Sequence, residues 1–329
     1  MRLFITGGSG FIGCRLAQTA VQQGHSVTVS TAINNSTEQT RCDELRRLGI
    51  AITVADLREV DTLVRALEGQ EVVIHLAAAQ HEAGRPEQYF FDVNAAGTKA
   101  LLSAAYSANV RRFVYGSTIG VYGDTAGVEV DESSPLHPDN PYGRSKVAAE
   151  TVVRETPLDL ESCIIRISET YGPGDRRLLK LFRGIVQGRF VVLGKGDNEH
   201  QLIFVDDLCR GLLAGASDPR ATGETILLAG HERITTNQMV AAVGTAVGSS
   251  RAIFHAPVWP FSVAARAFEA LCAPIGLQPP LHRRRLDFFL KSFRLSTSKA
   301  AAVLNFRAAT TFSAGAKRTA EWYREHGYL

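Results

Sequence analysis

The sequence predicts an α/β fold, in which a doubly wound parallel sheet carries helices on both faces and is followed by a smaller C-terminal lobe. Short apolar runs alternate with segments of helical periodicity through the first half of the chain, as expected of parallel strands joined by crossover helices. Each apolar run is nearly continuous, which is typical of strands covered on both faces. As a third observation, a glycine-rich segment over 6–13 joins the first strand to the first helix.

The elements of the first half follow a strand–helix order. Strands are predicted over 3–6, 27–30, 52–54, 72–76, 113–116 and 164–167, and helices over 11–23, 60–67, 95–108 and 142–154. Neighbouring parallel strands need a crossover connection of about a dozen residues or more, and the predicted helices supply these connections.

The rhythm changes beyond Gly172. Short strands are predicted over 190–193, 225–228 and 252–255, with helices over 236–247 and 314–326. No linker rich in Pro, Gly or Ser separates the two parts of the chain. We therefore expect a first domain over 1–172, with later segments returning to it, and a smaller lobe mainly over 173–329. The cleft between them is the expected ligand site.

Composition and charge exclude several classes of partner. The 329 residues are 45% apolar, and the net charge of +3 is small for this length, so neither nucleic acid nor an anionic membrane is an expected partner.

The most apolar stretch, 253–277, is interrupted by Pro257, Pro260 and Pro274, and predicts an amphipathic helix that covers a core or a pocket. The N-terminus lacks the pattern of a signal peptide, which predicts a cytoplasmic protein.

The cysteines predict neither disulfides nor a metal site. Their number is odd and no two lie at CxxC spacing. We expect buried thiols in a reducing compartment and no bound metal. The residues concerned are Cys14, Cys42, Cys163, Cys209 and Cys272.

The glycine-rich segment after the first strand predicts a dinucleotide-binding Rossmann fold. Gly7 permits a tight turn, Gly10 lets the backbone approach a pyrophosphate, and Gly13 lets the helix pack closely on the sheet. The N-terminus of the first helix would then face the phosphates. The segment, which we expect to contact the cofactor, reads Thr6-Gly7-Gly8-Ser9-Gly10-Phe11-Ile12-Gly13.

The end of the second strand leaves the choice between NAD and NADP open. An acidic residue here would bind the 2′-hydroxyl of the adenosine ribose, whereas a nearby arginine would suit a 2′-phosphate. The sequence has Ser30, Thr31 and Ala32 at this point. Thr31 is expected to lie against the cofactor. We expect the protein to bind either NAD or NADP, with only weak discrimination between them.

A Tyr–Lys pair on one helix face predicts a general acid/base. Tyr142 and Lys146 lie four residues apart, so both side chains project from the same side of the predicted helix. A nearby ammonium stabilises phenolate and lowers the pKa of the tyrosine. The pair can then move a proton on a hydroxyl or a carbonyl group. Both residues are also expected to contact the cofactor.

Hydroxyl groups follow the fifth strand at the edge of the sheet where ligands bind. Thr118 is predicted to hydrogen-bond the reacting oxygen beside Tyr142, and Ser117 is predicted to lie against the cofactor. Thr118, Tyr142 and Lys146 form the predicted catalytic set.

Together these motifs resemble the extended short-chain dehydrogenase/reductase family, of the NAD-dependent epimerase/dehydratase type. The resemblance also includes Asn94-x-x-Gly97-Thr98, and it implies that Asn94 supports the active site from the neighbouring helix. It implies further that Asp56 and Leu57 contact adenine, that Ala77 and Ala78 line the cofactor, and that Thr118 is the catalytic Ser/Thr. A homodimer formed through a helix pair is a further expectation from this resemblance.

Departures from the family pattern narrow the expected reaction. The 4,6-dehydratases of the family have Asp-Glu directly after the catalytic Thr, and this sequence has Ile119-Gly120, which disfavours water elimination. Sugar epimerases often have Asn where this chain has Glu169 and Arg where it has His200. Thr118, Glu169, Arg176 and His200 are the predicted substrate-binding residues.

Three functions remain open from the sequence. The first is an NAD(P)-dependent epimerase of a nucleotide sugar. The second is a dehydrogenase or reductase of a hydroxysteroid-like or other apolar alcohol or ketone, because residues 278–281 and the apolar helix before them resemble 3β-hydroxysteroid-dehydrogenase-type relatives. The third is a nonenzymatic dinucleotide-sensing protein, which the Tyr–Lys–Thr set disfavours.

Three further sequence features receive weaker interpretations. His81 and Glu82 are expected either in a solvated loop or against the substrate. The basic run 282–285 is expected on the surface. Asp206-Asp207 is expected to cap a helix that begins near Leu208, without binding a metal.

Overall fold

The computed structural model describes residues 1–33, 35–57, 59–80, 84–156, 159–250, 253–272 and 283–329, and of residues 269, 270 and 283–285 it describes only the backbone. The sequence interpretations of His81, Glu82 and 278–281, and of the side chains of the basic run 282–285, lie outside the described residues.

The first half alternates strands and helices, as the sequence predicts. The strands are β1 (Arg2–Thr6), β2 (Ser26–Thr31), β3 (Ala51–Val54), β4 (Val72–His75), β5 (Arg112–Thr118), β6 (Glu129–Val130), β7 (Glu161–Ile167) and β8 (Thr170–Tyr171). The helices are α1 (Phe11–Gln22), α2 (Ser36–Arg47), α3 (Val60–Leu67), α4 (Glu87–Phe91), α5 (Gly97–Ser107) and α6 (Pro141–Arg154). A π-helical turn (Asp92–Ala96) joins α4 to α5, and a 3₁₀ turn (Ile119–Val121) follows β5.

The second half has shorter strands between its helices. The strands are β9 (Val191–Leu193), β10 (Glu199–His200), β11 (Ile203–Phe204), β12 (Thr225–Leu228), β13 (Ile234–Thr235), β14 (Phe254–Ala256) and β15 (Arg294–Leu295). The helices are α7 (Leu179–Gln187), α8 (Val205–Ser217), α9 (Thr236–Val247), α10 (Val258–Cys272), α11 (Arg283–Leu290), α12 (Ser298–Leu304) and α13 (Phe312–Glu325), and a 3₁₀ turn (Pro219–Ala221) follows α8.

The central sheet confirms the predicted Rossmann fold. Its seven strands run in the order β12-β7-β5-β4-β1-β2-β3, and every neighbouring pair is parallel. The strand order reverses between β1 and β4. In open sheets of this kind, ligands bind at the carboxyl ends of the strands beside such a reversal.

One strand of the second half belongs to this sheet. The sequence predicts a strand over 225–228 among the pieces of the smaller lobe, whereas the structure pairs β12 with β7 at the edge of the central sheet. Helix α8 also packs against α1 and the central strands, and its buried side chains join the core beneath the sheet. These are segments that return to the first part of the chain.

The apolar cores follow the layers. One cluster lies on the face of the sheet covered by α1 and α8, and a second lies on the opposite face with α3, α5 and α6. A third cluster is built from Tyr171, α7, α9 and α13, all beyond the first half of the chain. We propose a division of the chain at Gly172, with later segments that return to the first domain. Strand β12 returns to the edge of the central sheet, and helix α8 packs against its strands.

The cysteines are largely as predicted. Cys14, Cys42, Cys163 and Cys209 are buried free thiols, whereas Cys272 is only half-buried at the end of α10. Within the described residues, no helix combines the length and the apolar character needed to cross a membrane.

Candidate active site

The glycine loop packs tightly between β1 and α1. A Cβ atom at Gly13 would lie 2.2 Å from the Gly7 carbonyl oxygen, so only glycine permits this contact between helix and loop. Gly7 has a φ of +71°, and a Cβ there would lie 2.9 Å from the amide nitrogen of Ala77. The loop therefore touches the chain that follows β4, as expected at the strand-order reversal.

The N-terminus of α1 is open to an anion. Gly10 is its N-cap residue and makes no side-chain capping bond, and the first turn contains no acidic residue. The free N–H groups and the positive end of the helix dipole favour phosphate at this point. Phe11 and Ile12 form the first turn of α1 beside this end. The donor set therefore fits the pyrophosphate of a dinucleotide.

The end of β2 carries hydroxyl groups in place of an acid. Ser30 and Thr31 are buried, and the hydroxyl groups of Thr31 and Ser9 hydrogen-bond each other. Ser9 belongs to the glycine loop, so Thr31 lies beside that loop. No carboxylate occurs among the described residues at this strand end, 30–33, which agrees with the sequence interpretation.

The chain after β4 is held against β1 and the π-helical turn. Thr6 Oγ1 accepts hydrogen bonds from the amides of Leu76 and Ala77, both at 3.1 Å. Buried His75 contacts Thr6 Oγ1 at 2.6 Å and Thr98 Oγ1 at 3.0 Å. Burial, with a smaller contribution from the charge of Lys146, lowers the pKa of His75 to about 3. A neutral His75 thus supports the strand end on which Ala77 and Ala78 follow.

Asn94 braces this strand end against α6. Its Oδ1 accepts from the amide of Ala79 at 2.8 Å, and its Nδ2 donates to the Ala79 carbonyl and to Ser145 Oγ, both at 2.9 Å. Ser145 Oγ donates in turn to the Tyr142 carbonyl at 2.8 Å. Asn94 is fully buried, so its side chain ties the Ala79 backbone to helix α6.

Asp56 and Leu57 follow β3 and are half-buried and buried, respectively. The Leu57 side chain lies against α5, where a Cβ at Gly97 would approach it to 3.2 Å. This places both residues at the carboxyl end of the sheet on the β3 side.

Helix α6 begins with a strong start signal and presents the Tyr–Lys pair. Asn140 is the N-cap and accepts from the Gly143 amide at 2.9 Å, and Pro141 occupies the first helical position. Tyr142 is half-buried at the start of the helix, whereas Lys146, one turn later, is buried. The sequence prediction of this helix is correct to within one residue.

The Lys146 ammonium is held beneath β5. Its Nζ donates to the Gly116 carbonyl at 2.6 Å and lies 4.2 Å from the centre of the Tyr115 ring. Burial lowers the pKa of Lys146 to about 7, although the charge of Glu150 acts in the opposite direction. A buried cation one helical turn from Tyr142 is what the proposed acid/base pair needs.

Thr118 ends β5 and starts the 3₁₀ turn. Its Oγ1 accepts from the Gly120 amide at 3.1 Å, which fixes the side chain at the carboxyl edge of the sheet. Ser117 points into the interior instead, where its hydroxyl donates to Glu150 at 2.6 Å. Ser117 was predicted to contact the cofactor, but its side chain is 4% exposed and engaged with this carboxylate, so only its backbone remains for a ligand.

A buried ion pair behind these residues was not predicted from the sequence. Glu150 accepts two hydrogen bonds from Arg166, and Arg166 also donates to the Tyr122 hydroxyl at 2.9 Å. The pair thus joins α6, β7 and the turn after β5. Glu150 lies four residues after Lys146, and this spacing was the only sequence signal for its position.

Glu169 and His200 are brought together as a pair. The His200 Nδ1 lies 3.2 Å from Glu169 Oε2, and its Nε2 contacts Thr236 Oγ1 at 3.0 Å and Asn198 Nδ2 at 3.1 Å. Burial raises the pKa of Glu169, but the hydrogen bond with His200 and the electrostatic interactions with His200 and Arg177 together outweigh it and hold the value at about 2. His200 is 2% exposed and both its ring nitrogens have protein partners, so its imidazole is not presented to a phosphate.

Arg176 is not brought to this pair. Its guanidinium donates to Thr37 at 2.7 Å and to the Tyr328 hydroxyl. The neighbouring Arg177 donates to the Thr170 carbonyl at 2.7 Å, and its charge helps to lower the pKa of Glu169. Arg177 is exposed to solvent, and its positive charge lies on the side of Glu169.

The expected helix cap at Asp206-Asp207 is wrong. Helix α8 begins at Val205 with Phe204 as its N-cap, so both aspartates lie inside the first turn. Asp206 pairs with Arg15 at 2.6 Å, and Asp207 accepts from the amide of Thr310 at 2.8 Å. Strand β11 runs directly into the helix, so the N-cap position is occupied by Phe204, whose side chain makes no capping hydrogen bond.

The model of the NAD dependent epimerase/dehydratase family matches residues 3–229, which include the glycine loop, β5, α6 and β12. The chain belongs to this family. The match confirms the resemblance predicted from the motifs and the prediction of an NAD-dependent enzyme.

Relatives in this family cover nearly the whole chain. The N-acetyl-alpha-D-glucosaminyl-diphospho-ditrans,octacis-undecaprenol 4-epimerase of Escherichia coli O157:H7 is 27% identical over 98% of this chain and 96% of its own length. The dTDP-glucose 4,6-dehydratase of Streptomyces niveus is 27% identical over 99% of this chain and 94% of its own length. The UDP-glucuronic acid 4-epimerase of Bacillus cereus, solved with NAD, has a TM-score of 0.80 at 21% identity, with complete coverage of both chains.

Proposed function

We propose that this protein is an NAD(P)-dependent epimerase that acts on a nucleotide sugar. The observation that carries the proposal is the combination of Thr118, Tyr142 and Lys146 at the carboxyl edge of the sheet with the glycine loop of the same edge. The UDP-glucose 4-epimerase of Mycolicibacterium smegmatis, a relative that is 26% identical over 98% of this chain, supports the choice of a nucleotide sugar.

Tyr142 is the group that transfers the proton in the proposed reaction. A bound nicotinamide cofactor supplies reversible hydride transfer with a sugar carbon. Tyr142 removes the proton from the hydroxyl on that carbon and returns it when the ketone is reduced. With a nicotinamide held at the glycine loop and beside Tyr142, return of the hydride to the opposite face of the sugar would invert the carbon without net oxidation.

Lys146 and Thr118 assist that proton transfer. The Lys146 charge stabilises the tyrosinate form of Tyr142. Thr118, with its hydroxyl hydrogen free to donate because Oγ1 accepts from Gly120, holds the reacting oxygen beside Tyr142. Glu150, buried against Arg166, keeps the strand end and α6 in register.

Water elimination lacks its acid/base groups. Ile119 is buried and Gly120 has no side chain, where the dehydratases of the family place Asp-Glu. Glu150 does not replace them, because its carboxylate is committed to Arg166 and Ser117. Epimerisation is therefore favoured over dehydration.

The substrate diphosphate would meet the second part of the chain. We assign Arg177 a role in neutralising it, with Glu169 and His200 as a pair that contacts the substrate through Glu169, the more exposed partner. Arg176 and His200, which the sequence predicts to bind the substrate, are instead engaged with Thr37 and with Glu169 and Thr236, respectively.

A second candidate is a dehydrogenase or reductase of an apolar alcohol or ketone. Helix α10 favours it, because Trp259, Val263 and Leu271 are 70%, 59% and 70% exposed, and Trp259 and Val263 share one helix face. An apolar face near α11, which contacts the His200 side of the site through Phe288, could wall a lipid-like pocket.

The state of the purified protein separates these candidates. An epimerase regenerates its own cofactor, so dinucleotide should be released in near-stoichiometric amount when the protein is denatured. A dehydrogenase must exchange its cofactor, and protein purified without dinucleotide would favour that candidate. Absorbance of the released material gives the ratio.

A ligand panel then tests the substrate. Thermal shifts are measured with cofactor present for UDP-, GDP- and dTDP-sugars and for steroids and flavonoids. A nucleotide sugar should raise Tm, and its affinity should fall steeply with salt, because charge-assisted contacts to phosphates are screened. An apolar alcohol that raises Tm when no nucleotide does would support the second candidate.

We also propose that residues 173–329 supply most of the substrate contacts and that the protein acts as a cytoplasmic homodimer without nucleic-acid or membrane partners. Light scattering coupled to gel filtration tests the dimer. A monomer that is active at the same concentration would contradict it.

A further inference from the structure

Helix α2 directs Arg41 toward the cofactor edge of the sheet. Asn35 caps this helix and accepts from the Glu38 amide at 3.0 Å. Cys42 and Leu45 are buried against the core, which fixes how the helix is turned. Arg41 precedes Cys42 and lies half-buried beside the glycine loop. The sequence motifs gave this arginine no role.

The Arg41 guanidinium joins two loops that are far apart in the sequence. Its Nη1 donates to the Ser9 carbonyl of the glycine loop at 3.1 Å, and its Nη2 donates to the Gly174 carbonyl at 2.8 Å. A guanidinium suits this role, because its donors form a rigid fork that can reach two carbonyl groups at once.

The turn that contains Gly174 lies over the start of α1. Gly174 has a φ of +93°, and a Cβ atom there would lie 3.4 Å from the Phe11 ring, in the first turn of that helix. On its other side the turn is anchored by buried Asp175, whose carbonyl accepts from the Tyr323 hydroxyl of α13 at 2.6 Å. The turn thus bridges the open, anion-binding end of α1 and the second part of the chain.

We propose that Arg41 clasps the Gly174 turn to the glycine loop and thereby retains the dinucleotide in the protein through successive turnovers. The inference rests on the proposed function, since an epimerase regenerates its cofactor and gains nothing from releasing it. The Arg176–Thr37 hydrogen bond is a second, weaker tie between the same turn and α2.

The charge of Arg41 acts in the same direction. Phosphates at the N-terminus of α1 would lie near a cation that is already fixed by two carbonyl groups, so no side-chain entropy is lost when the dinucleotide binds. A cation held in this way slows dissociation more than it changes the rate of association.

The test is the rate at which bound dinucleotide leaves the protein. NADH is loaded, excess NAD is added, and the loss of protein-bound NADH fluorescence is followed for the wild type and for Arg41→Gln. We expect release to be at least about tenfold faster in Arg41→Gln. The matched control is Arg46→Gln, on the same helix, where Arg46 pairs with Asp43 at the surface. Its release rate should equal that of the wild type.

A second variant keeps the proposal testable if Arg41→Gln does not fold. Thr37→Val preserves side-chain shape and removes the acceptor of Arg176, so release should accelerate by a few-fold. Equal release rates in folded wild type, Arg41→Gln and Thr37→Val would overturn the clasp. Rapid release from the wild type itself would instead contradict the recycling epimerase of the proposed function, so the two failures are distinguishable.

Discussion

Glu150 receives both a 3.0 Å and a 2.8 Å hydrogen bond from the guanidinium of Arg166, and neither side chain reaches solvent. The same carboxylate accepts from Ser117 at 2.6 Å and from Arg154 at 2.6 Å. Burial raises the pKa of Glu150, but the hydrogen bonds from Arg166 and Ser117 and the charges of Arg166 and Arg154 together hold it below its ordinary value. The carboxylate therefore stays charged and ties α6 to β5 and β7.

Glu150→Gln should strongly destabilise the fold, because it leaves the Arg166 charge buried without compensation. Breaking a buried pair typically costs about 3–5 kcal/mol of unfolding free energy. Glu87→Gln, which removes an exposed pair with Arg144, is the control and should cost less than about 1 kcal/mol. Urea denaturation compares the two, and similar losses would contradict a structural role for the buried pair.

Tyr142→Phe should reduce turnover by about 10² or more, the usual contribution of general acid/base catalysis. Dinucleotide affinity should stay close to that of the wild type, because the ring and its packing are preserved. Steady-state kinetics and calorimetric titration measure the two quantities. Turnover within a few-fold of the wild type would exclude Tyr142 as the acid/base.

Gly10→Val should abolish dinucleotide binding in a folded protein. A Cβ at Gly10 already lies 3.0 Å from the Gly7 carbonyl, and a branched side chain would occupy the approach to the α1 N-terminus. Thr19→Val, later in α1, is the matched control and should bind normally. Unchanged affinity of Gly10→Val in calorimetry would refute the position of the phosphate site.

Discrimination between NAD and NADP should be weak. The end of β2 offers Thr31, hydrogen-bonded to Ser9, and no carboxylate to repel a 2′-phosphate. We expect the NADP affinity to be within about tenfold of that of NAD, or about 1.4 kcal/mol. A titration that shows strong NAD preference would mean that a residue outside 30–32 reads the ribose.

Lys146→Met should stabilise the dinucleotide-free fold more at pH 7 than at pH 9.5. Burial lowers the pKa of Lys146 from 10.5 to about 7, so the unfolded chain binds the proton more tightly and the buried charge costs stability below this range. Between about pH 7 and 10.5 the folded lysine is neutral while the unfolded lysine progressively loses its proton, so the cost shrinks as pH rises. Denaturation midpoints at the two pH values test the sign. An equal change at both would show that the folded lysine keeps an ordinary pKa.

The sequence alone determined strands β1 to β5 and β7 of the central sheet, the glycine loop and helix α6. Each of these features depends on residues that are close together in the sequence. Strand and helix periodicity extends over a single element, and the Asn140-Pro141 helix start and the Tyr142–Lys146 spacing lie at the start of α6. Local propensity and pattern therefore predicted them within one or two residues for α1, α3 and α6.

The tertiary structure decided which distant residues meet. Strand β12 joins the sheet beside β7, Arg41 reaches Gly174 across 133 residues, and His200 turns its imidazole inward to Glu169 and Thr236. Such contacts form only when helices and strands pack together. Which side chains then meet depends on the angles and positions at which these elements pack, and sequence periodicity does not specify them. The nature of the chemistry is therefore encoded in local motifs, whereas the residues that surround the substrate and hold the cofactor are set by packing.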